Sequence, residues 1–580
     1  MTNYFSGLND LFYEIGIKKK YLIFLISLFL IIALIDLLSL GLISPYVTIV
    51  LGIDEYDLSN FPLLNYLQST NKENLILAFS AFLILIFLLK SILSISIRWM
   101  ITKFAYEQFV VIQVNLMKAY QNMKFEEFIS RNESEYIRNI RELSAECVGA
   151  IDAFLRLVSE LIILLAIAIF LTWLNYKMVL FLFLMIIPIF LIYEIFLKPI
   201  NTKLGKNKVN ASKELFKTVD AGVSAFKEIK ILSKENFFLQ EVKNIANKIK
   251  GLELKSSLIK DSPRYVFEFA IIAPTLLIVM ILSFDKSYNI IEILPTLAIF
   301  FLAAIRILPS IAVIVNAQGR LSFSIPATKI VVNDLKRYSK SLNKTSETTL
   351  NEKNLEFLKF ENIHFQYKNS KNKIFEDLNF DIKENECVGI IGESGIGKTT
   401  LIHLLLGLIN PNRGNIIVNK KQKINSLENF SGIISYMPQD PIILDDTIIK
   451  NITFENDEKN VDKSKYTNAL IQSNLNKVLN QLPEKDKTFI GENGVRLSGG
   501  QYKRIALART FYFGKKILVM DEATNSLDQD SEKYVMEQVD ELKGKKTIII
   551  ITHKQNILGN CHKIYKIENK KIQLIKENKL

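Results

Sequence analysis

The sequence predicts a membrane α-helical domain of six transmembrane helices followed by an α/β domain built on a phosphate-binding loop. Three observations predict it. Long apolar runs alternate with basic polar segments through residues 1–340. A polar stretch, 341–354 (SLNKTSETTLNEKN), ends that pattern and reads as a linker. Over 355–580, short Ile/Val-rich strands alternate with helical stretches around a glycine-rich loop.

Hydrophobic residues make up 49% of the 580, and the mean hydropathy of +0.20 excludes a mostly disordered chain. The apolar runs are Tyr21–Val50, broken only by Asp36, one starting at Leu75, Phe154–Leu174, Met178–Leu197, Val266–Leu282 and Ile290–Val315. About 20 helical residues cross ~30 Å of hydrocarbon, so six crossings fit. The first run continues well past the length of a signal-peptide core, and no small-residue cleavage site ends it.

The net charge of +13 is explained by where the bases sit. Fifteen Lys or Arg lie from Lys198 to Arg264 and six from Lys103 to Arg141. The opposite loops hold Lys72, Lys177 and Lys286 against Asp54, Glu55, Asp57, Glu73 and Asp285. The positive-inside rule places both basic regions and both termini in the cytoplasm, and no nucleic-acid partner is needed to explain the charge. From Leu75 to Met123 the helical pattern runs to roughly twice the bilayer requirement, so helices project into the cytoplasm. Asn3–Ile17 is amphipathic, with Phe5, Leu8, Leu11, Phe12 and Ile15 on one side. It fits a helix on the inner membrane surface or an ordinary capping helix. The three cysteines, Cys147, Cys387 and Cys561, are too few and too scattered for a disulfide framework or a zinc site.

In the second domain, the apolar strand Cys387–Ile391 runs into Gly392, Glu393, Ser394, Gly395, Ile396, Gly397, Lys398 and Thr399, then a helical stretch Thr400–Leu408. This is the setting a phosphate loop requires. Backbone N–H groups and the helix N-terminus surround the phosphates. Lys398 reaches the β- and γ-phosphates, and the Thr399 hydroxyl is placed for Mg²⁺. A second apolar strand, Lys516–Met520, ends in Asp521 and Glu522. The first carboxylate suits the Mg²⁺ shell and the second the polarisation of an attacking water.

Between them lies Leu497-Ser498-Gly499-Gly500-Gln501. LSGGQ, with GESGIGKT upstream and ILVMDEAT downstream, resembles the nucleotide-binding domain of ABC transporters. The resemblance implies that Tyr367 stacks on adenine, that the loop through Thr400 binds nucleotide, and that Ser498, Gly499, Gly500 and Gln501 close over it. It implies that Gln439 is the Q-loop glutamine, near water and metal, that Asn525-Ser526-Leu527-Asp528 is the D-loop, and that His553 is the switch histidine. Gly491-Glu492-Asn493-Gly494 resembles the X-loop of exporters. Six crossings followed by one such domain resemble the half-transporter plan, with a type IV exporter architecture in the inner cell membrane and its nucleotide domain in the cytoplasm. Each motif occurs once, so the resemblance implies a homodimer enclosing two ATP and Mg²⁺. Short coupling helices are then expected near Phe125–Ser130 and Ala221–Lys230.

Asp36, Lys90 and Arg306 lie within apolar runs without a partner three or four residues away. Lys90 sits about 22 Å and Arg306 about 24 Å in from the outer helix ends. Either Asp36 pairs with one of the bases, or the bases face a cavity and favour an anionic cargo. Arg156 with Glu160 and Glu194 with Lys198, each four apart, read as self-neutralised. Phe61, Leu63, Leu64 and Leu67 fit a short external helix. ISPYVTIV, AAIRILPS and SKENFF are similar to segments of bacterial flippases of lipid-linked oligosaccharides, which implies a polyprenyl-pyrophosphate cargo. An exporter of peptides or small amphiphiles is the alternative, although no peptidase domain is expected ahead of the first crossing. An ATP-gated channel or regulatory membrane protein is a third reading, disfavoured by the intact Glu522 and His553.

Overall fold

Apolar runs fold as helices where water is absent, because every backbone N–H must then be satisfied within its own segment. The computed structural model describes residues 2–51, 72–284, 290–342, 356–368, 370, 372–419, 422–424, 432–491, 497–525 and 527–577. They form two compact units, one of Met1–Met123 with Phe128–Asn343 and one of Lys124–Glu127 with Lys344–Leu580. The proposed external helix, most of the linker, Ser526 and most of the 491–494 motif lie outside the described residues.

The first unit is helical throughout: α1 (Thr2–Ile15), α2 (Lys19–Gly41), α3 (Ile43–Leu51), α4 (Lys72–Gln121), the single turn α5 (Phe125–Phe128), α6 (Glu133–Arg138), α7 (Ser144–Ile192), α8 (Lys198–Ser224), α9 (Phe226–Leu232), α10 (Glu235–Phe284) and α11 (Ile290–Leu342). Among the described residues, Lys19–Gly41, Ile76–Gln121 and Glu133–Trp173 are long and apolar enough to cross a membrane. The 50 residues of α4 rise about 75 Å, more than twice the hydrocarbon thickness.

Long-range pairs show how these rods run. Asp36 meets Lys90, and Arg98 meets Asp152 at 3.2 Å. Lys208 meets Glu146 at 2.8 Å and Glu253 at 2.6 Å. Asn316 bonds Asp261 at 3.0 Å. In each pairing one residue number rises as the other falls, so successive segments are antiparallel. Five reversals therefore divide the unit into six helical segments. One reversal was placed by the sequence in a loop near Lys177. Helical backbone continues there, from Ser144 to Ile192. A straight helix would separate Glu146 from Lys208 by about 90 Å, so the chain must turn back within this helical stretch. Polar backbone in a short apolar connection stays helical because no water is there to take its hydrogen bonds.

Three other expectations need correction. The α1 face of Leu8, Leu11, Phe12 and Ile15 is buried in the helical core rather than laid open to a membrane surface. Arg156 pairs with Asp152 at 2.8 Å instead of Glu160, and Asp152 serves Arg98 as well. The Glu194–Lys198 pair forms at 2.6 Å. Cys387 and Cys561, 174 positions apart, bring their Sγ atoms to 3.2 Å. Strand pairing, not sequence spacing, sets that approach.

In the second unit, a six-stranded sheet has the order β10-β9-β3-β8-β7-β6 and a four-stranded antiparallel sheet the order β2-β1-β4-β5. The strands are β1 (Phe357–Phe365), β2 (Phe375–Lys383), β3 (Cys387–Ile391), β4 (Arg413–Val418), β5 (Gln422–Ile424), β6 (Ile434–Met437), β7 (Ile517–Asp521), β8 (Thr547–Ile551), β9 (Lys563–Glu568) and β10 (Lys571–Glu577). β3, β7 and β8 are buried at every position, as parallel strands covered on both faces require. The helices are α12 (Lys398–Leu405), α13 (Ile448–Thr453), α14 (Lys463–Gln472), α15 (Asn476–Leu479), α16 (Gly499–Phe513) and α17 (Gln529–Asp540).

Candidate nucleotide site and basic cavity

Parallel pairing of β3 with β8 and of β8 with β7 aligns three strand ends. The loop after β3, the acids ending β7 and the residues after β8 therefore meet at one edge, where open α/β sheets bind ligands. Gly397 caps α12 with φ 112°, a conformation an L side chain resists. A Cβ there would also press on Ile374 at 2.8 Å. Lys398, the first residue of α12, donates from Nζ to the Gly392 carbonyl at 2.8 Å and lies 3.8 Å from Glu522.

Glu522 is the centre of the cluster. Its Oε2 accepts from Gln439 Nε2 at 3.1 Å and from Asn525 Nδ2 at 2.8 Å. Its Oε1 lies 3.4 Å from His553 Nδ1. The backbone at Glu522 has φ 45°, which costs a non-glycine residue about 1–3 kcal/mol and persists only where the surroundings hold it. Its N–H donates to the Ile551 carbonyl at 2.9 Å and supplies part of that hold. Asp521 is buried beside the Tyr436 hydroxyl, 3.5 Å away. Burial, and then the Glu522 charge, push its carboxyl up to about 6.

The structure thus brings together Lys398, Gln439, Asp521, Glu522 and His553, all named from sequence. It adds two residues the sequence reading missed. Lys503 donates from Nζ to the Glu522 carbonyl at 3.3 Å, and Tyr436 faces Asp521. A signal existed for Lys503, which lies within the first two turns of the helix that begins at the LSGGQ glycines. Tyr367 stands with its hydroxyl 3.4 Å from Thr400 Oγ1, at the edge of the loop.

Ser498 is the N-cap of α16 in a complete capping box. Its Oγ accepts from Gln501 N–H at 3.3 Å, and Gln501 Oε1 accepts from its N–H at 3.0 Å. Ser498 and Gly499 are exposed, and a Cβ on Gly499 would meet nothing within 4 Å. Asp528 caps α17 and receives Arg504 at 3.1 Å. Thr399 is exposed at the start of α12. The 124–127 segment belongs to this unit, where Phe125 packs edge-on to His403 with ring centroids 4.8 Å apart.

In the helical unit, Lys90 forms an ion pair with the fully buried Asp36. Lys90 also borders a cavity of about 380 Å³ shared with Arg98, Arg156 and Glu160. The backbone of Arg306 lies in α11, and its side chain is outside the described residues. A neighbouring cavity of about 600 Å³, which also includes Arg156, is lined by Lys260, Arg264 and Arg320, with Asp152 and Asp261 as its acids. Sequence reasoning did not single out these last three bases, because they lie outside the apolar runs.

Residues 375–525 match the family of ABC transporters. The chain is 33% identical over 217 residues to an ATP-dependent lipid A-core flippase of Ralstonia nicotianae, covering 37% of each chain. It is 35% identical over 215 residues to the protein of the same name in Coxiella burnetii, covering 36% of each. It is 34% identical over 222 residues to the chloroplastic ABC transporter B family member 29 of Arabidopsis thaliana, covering 38% of this chain and 34% of that one. These alignments thus span little more than a third of each relative. A bacterial Atm1-family ABC exporter solved with ATP bound matches with a TM-score of 0.77 at 17% identity, over 97% of this chain and 95% of that one.

Proposed function

Because the chain has the fold of an ABC exporter half, we propose that it hydrolyses ATP to move an anionic amphiphile across the inner cell membrane, as a homodimer with both nucleotide domains in the cytoplasm. The cargo we propose is a polyprenyl-pyrophosphate-linked oligosaccharide. The observation that carries the anionic cargo is the 600 Å³ cavity, with four bases against two acids. A phosphate-bearing head group gains charge-assisted hydrogen bonds from such bases. The lipid A-core flippase names of relatives support an amphiphilic cargo.

In the nucleotide site, Lys398 exchanges its bond to the Gly392 carbonyl for the phosphates. Glu522 accepts a proton from the attacking water, with Gln439 and Asn525 fixing the carboxylate and His553 set beside it. The oxygen donors Thr399, Gln439 and Asp521 suit Mg²⁺, a hard cation that takes octahedral oxygen ligands. Asp521 fits it further, since a cation would offset the burial and the Glu522 charge that now push its proton affinity up. Bound there, Mg²⁺ would neutralise charge on the phosphates. The exposed Ser498 and Gly499 offer a helix N-terminus to the ATP held by the second copy.

The test is transfer of a fluorescent lipid-linked oligosaccharide in proteoliposomes, alongside basal ATPase. Replacing Lys260, Arg264 and Arg320 by Gln is expected to remove cargo transfer and cargo-stimulated hydrolysis while basal ATPase persists. Transfer at the wild-type rate would end the anionic-cargo reading. Stimulation by amphipathic peptides with no lipid transfer would favour the peptide exporter.

A further inference from the structure

The packing of α1 leaves a second cavity, of about 420 Å³, between α1, α2 and the first part of α7. Leu8 and Phe12 form one wall, Leu25 and Phe29 another, and Phe154 and Leu155 the third. Asn9 is the only polar residue lining it. A dry, apolar cavity of this size takes apolar matter rather than water.

What sits at its mouth identifies the occupant. Lys18, Lys19 and Lys20 are consecutive and exposed at the start of α2. Helical periodicity places Lys18 in line with Leu22 and Leu25, and Lys19 with Leu22 and Ile26. The lysines therefore continue the apolar stripe of α2 that lines the cavity. From Lys18 to Phe29 the stripe rises about 16 Å, the depth of one hydrocarbon leaflet. Tyr13, on the outer side of α1, is 82% exposed, as an interfacial aromatic would be. By the charge bias of the loops this end faces the cytoplasm.

We propose that this cavity is a resident-lipid site. One acyl chain of an anionic phospholipid from the cytoplasmic leaflet fills the space between α1, α2 and α7, and its phosphate is held by Lys18–Lys20. The site lies on different residues from the basic cavity and does not depend on the nature of the cargo. Each lysine near a membrane surface favours an anionic lipid roughly fivefold. The bound chain completes a wall that α1 alone leaves open.

The test uses the full chain with Trp99 and Trp173 changed to Phe, so that one introduced tryptophan reports. Leu22→Trp places the reporter in the cavity wall. Ile23→Trp, at a position 65% exposed, is the control on the neighbouring face. Each variant is reconstituted in phosphatidylcholine vesicles with increasing fractions of acyl-brominated phosphatidylglycerol or acyl-brominated phosphatidylcholine. Leu22→Trp is expected to reach half-quenching at a fraction of the anionic lipid at least fivefold lower than of the neutral one. Ile23→Trp is expected to show no such preference. Changing all three lysines to Gln should make the two lipids equal at Leu22→Trp. Native mass spectrometry of the unmodified sequence supplies an independent reading: phosphatidylglycerol retained by the wild type and lost with the three lysines. Equal quenching by both lipids, an absence of quenching at Leu22→Trp, or a preference that survives loss of the lysines would each overturn the proposal.

Discussion

Glu522→Gln isolates the proton-accepting role, because glutamine keeps the shape of glutamate. In the structure the carboxylate has two amide donors, Gln439 and Asn525, with His553 at 3.4 Å and Lys398 at 3.8 Å. The substituted amide keeps one acceptor oxygen and presents an N–H₂ to the other donor. One hydrogen bond is lost, at about 1 kcal/mol, too little to unfold the domain. Loss of a general base lowers the rate by about 10²–10⁴-fold, which is about 3–5 kcal/mol in the activation barrier. Lys398 and the loop are untouched, so ATP still binds. Phosphate release in proteoliposomes should fall by that factor while nucleotide retained on a filter stays at the wild-type level or rises. A cross-link between engineered cysteines on the two nucleotide domains should show them held closed. Hydrolysis within twofold of wild type would refute the assignment of Glu522, whatever the binding result.

Three further outcomes are expected. Pairing a Lys398→Ala chain with a Ser498→Arg chain confines both lesions to one interface, so equilibrium ATP binding should exceed that of either mutant homodimer, and full ATPase from a verified monomer would sink the shared-site reading. Lys90→Gln should destabilise the protein by about 3–5 kcal/mol, since it strips a buried carboxylate of a cation, and Lys90→Leu with Asp36→Leu should recover much of that in a thermal-unfolding assay, whereas a stable Lys90→Gln protein would remove the pair's structural role. Gly205→Ala should cost about 1–3 kcal/mol, because its new Cβ would stand 2.1 Å from the Phe323 carbonyl oxygen, and an unchanged melting temperature would show that α8 and α11 can separate without penalty.

The nucleotide site was legible because its residues act through short local segments. A strand, a turn and a helix N-terminus are consecutive in sequence, so GESGIGKT specifies its own geometry. The acids ending β7 announce themselves by following an apolar strand. Lys503 and Tyr436 were hidden because each reaches the site from an element whose pattern reports only helix or strand. The membrane unit was legible in its period and charge bias, but not in its partners. Arg156 has an acid four residues away on both sides, Asp152 and Glu160, and sequence cannot choose between them. The structure chooses Asp152, where Arg98 arrives from α4. Asp36 and Lys90 are 54 positions apart, and only antiparallel packing of α2 against α4 makes them neighbours. The Cys387–Cys561 approach has the same origin, through the pairing of β3 with β9.

These pairings change where an anionic head group would first be held. The sequence pointed to Lys90 and Arg306, deep in their helices. With Lys90 held by Asp36 and with Arg98 and Arg156 sharing Asp152, much of the charge at that depth is offset. The bases of the larger cavity lie elsewhere along the same rods. Arg320 is fourteen residues beyond Arg306 on α11, about 21 Å nearer the cytoplasmic end. Lys260 and Arg264 precede the apolar run of α10. In our reading a pyrophosphate therefore meets its strongest positive field near the cytoplasmic leaflet, where a lipid-linked glycan assembled inside the cell would be taken up. The field weakens toward the outer leaflet, so release there requires no competing base to be neutralised. The order of affinity along the path then favours loading from within, and the energy of ATP is required to reorient the helices rather than to pull the head group from a deep electrostatic trap. Charge reversal at the entrance distinguishes this from a trap at mid-membrane. Arg320→Glu should lower the apparent affinity for cargo in the ATPase assay many-fold with little change in the maximal stimulated rate, whereas a mid-membrane trap predicts the opposite split.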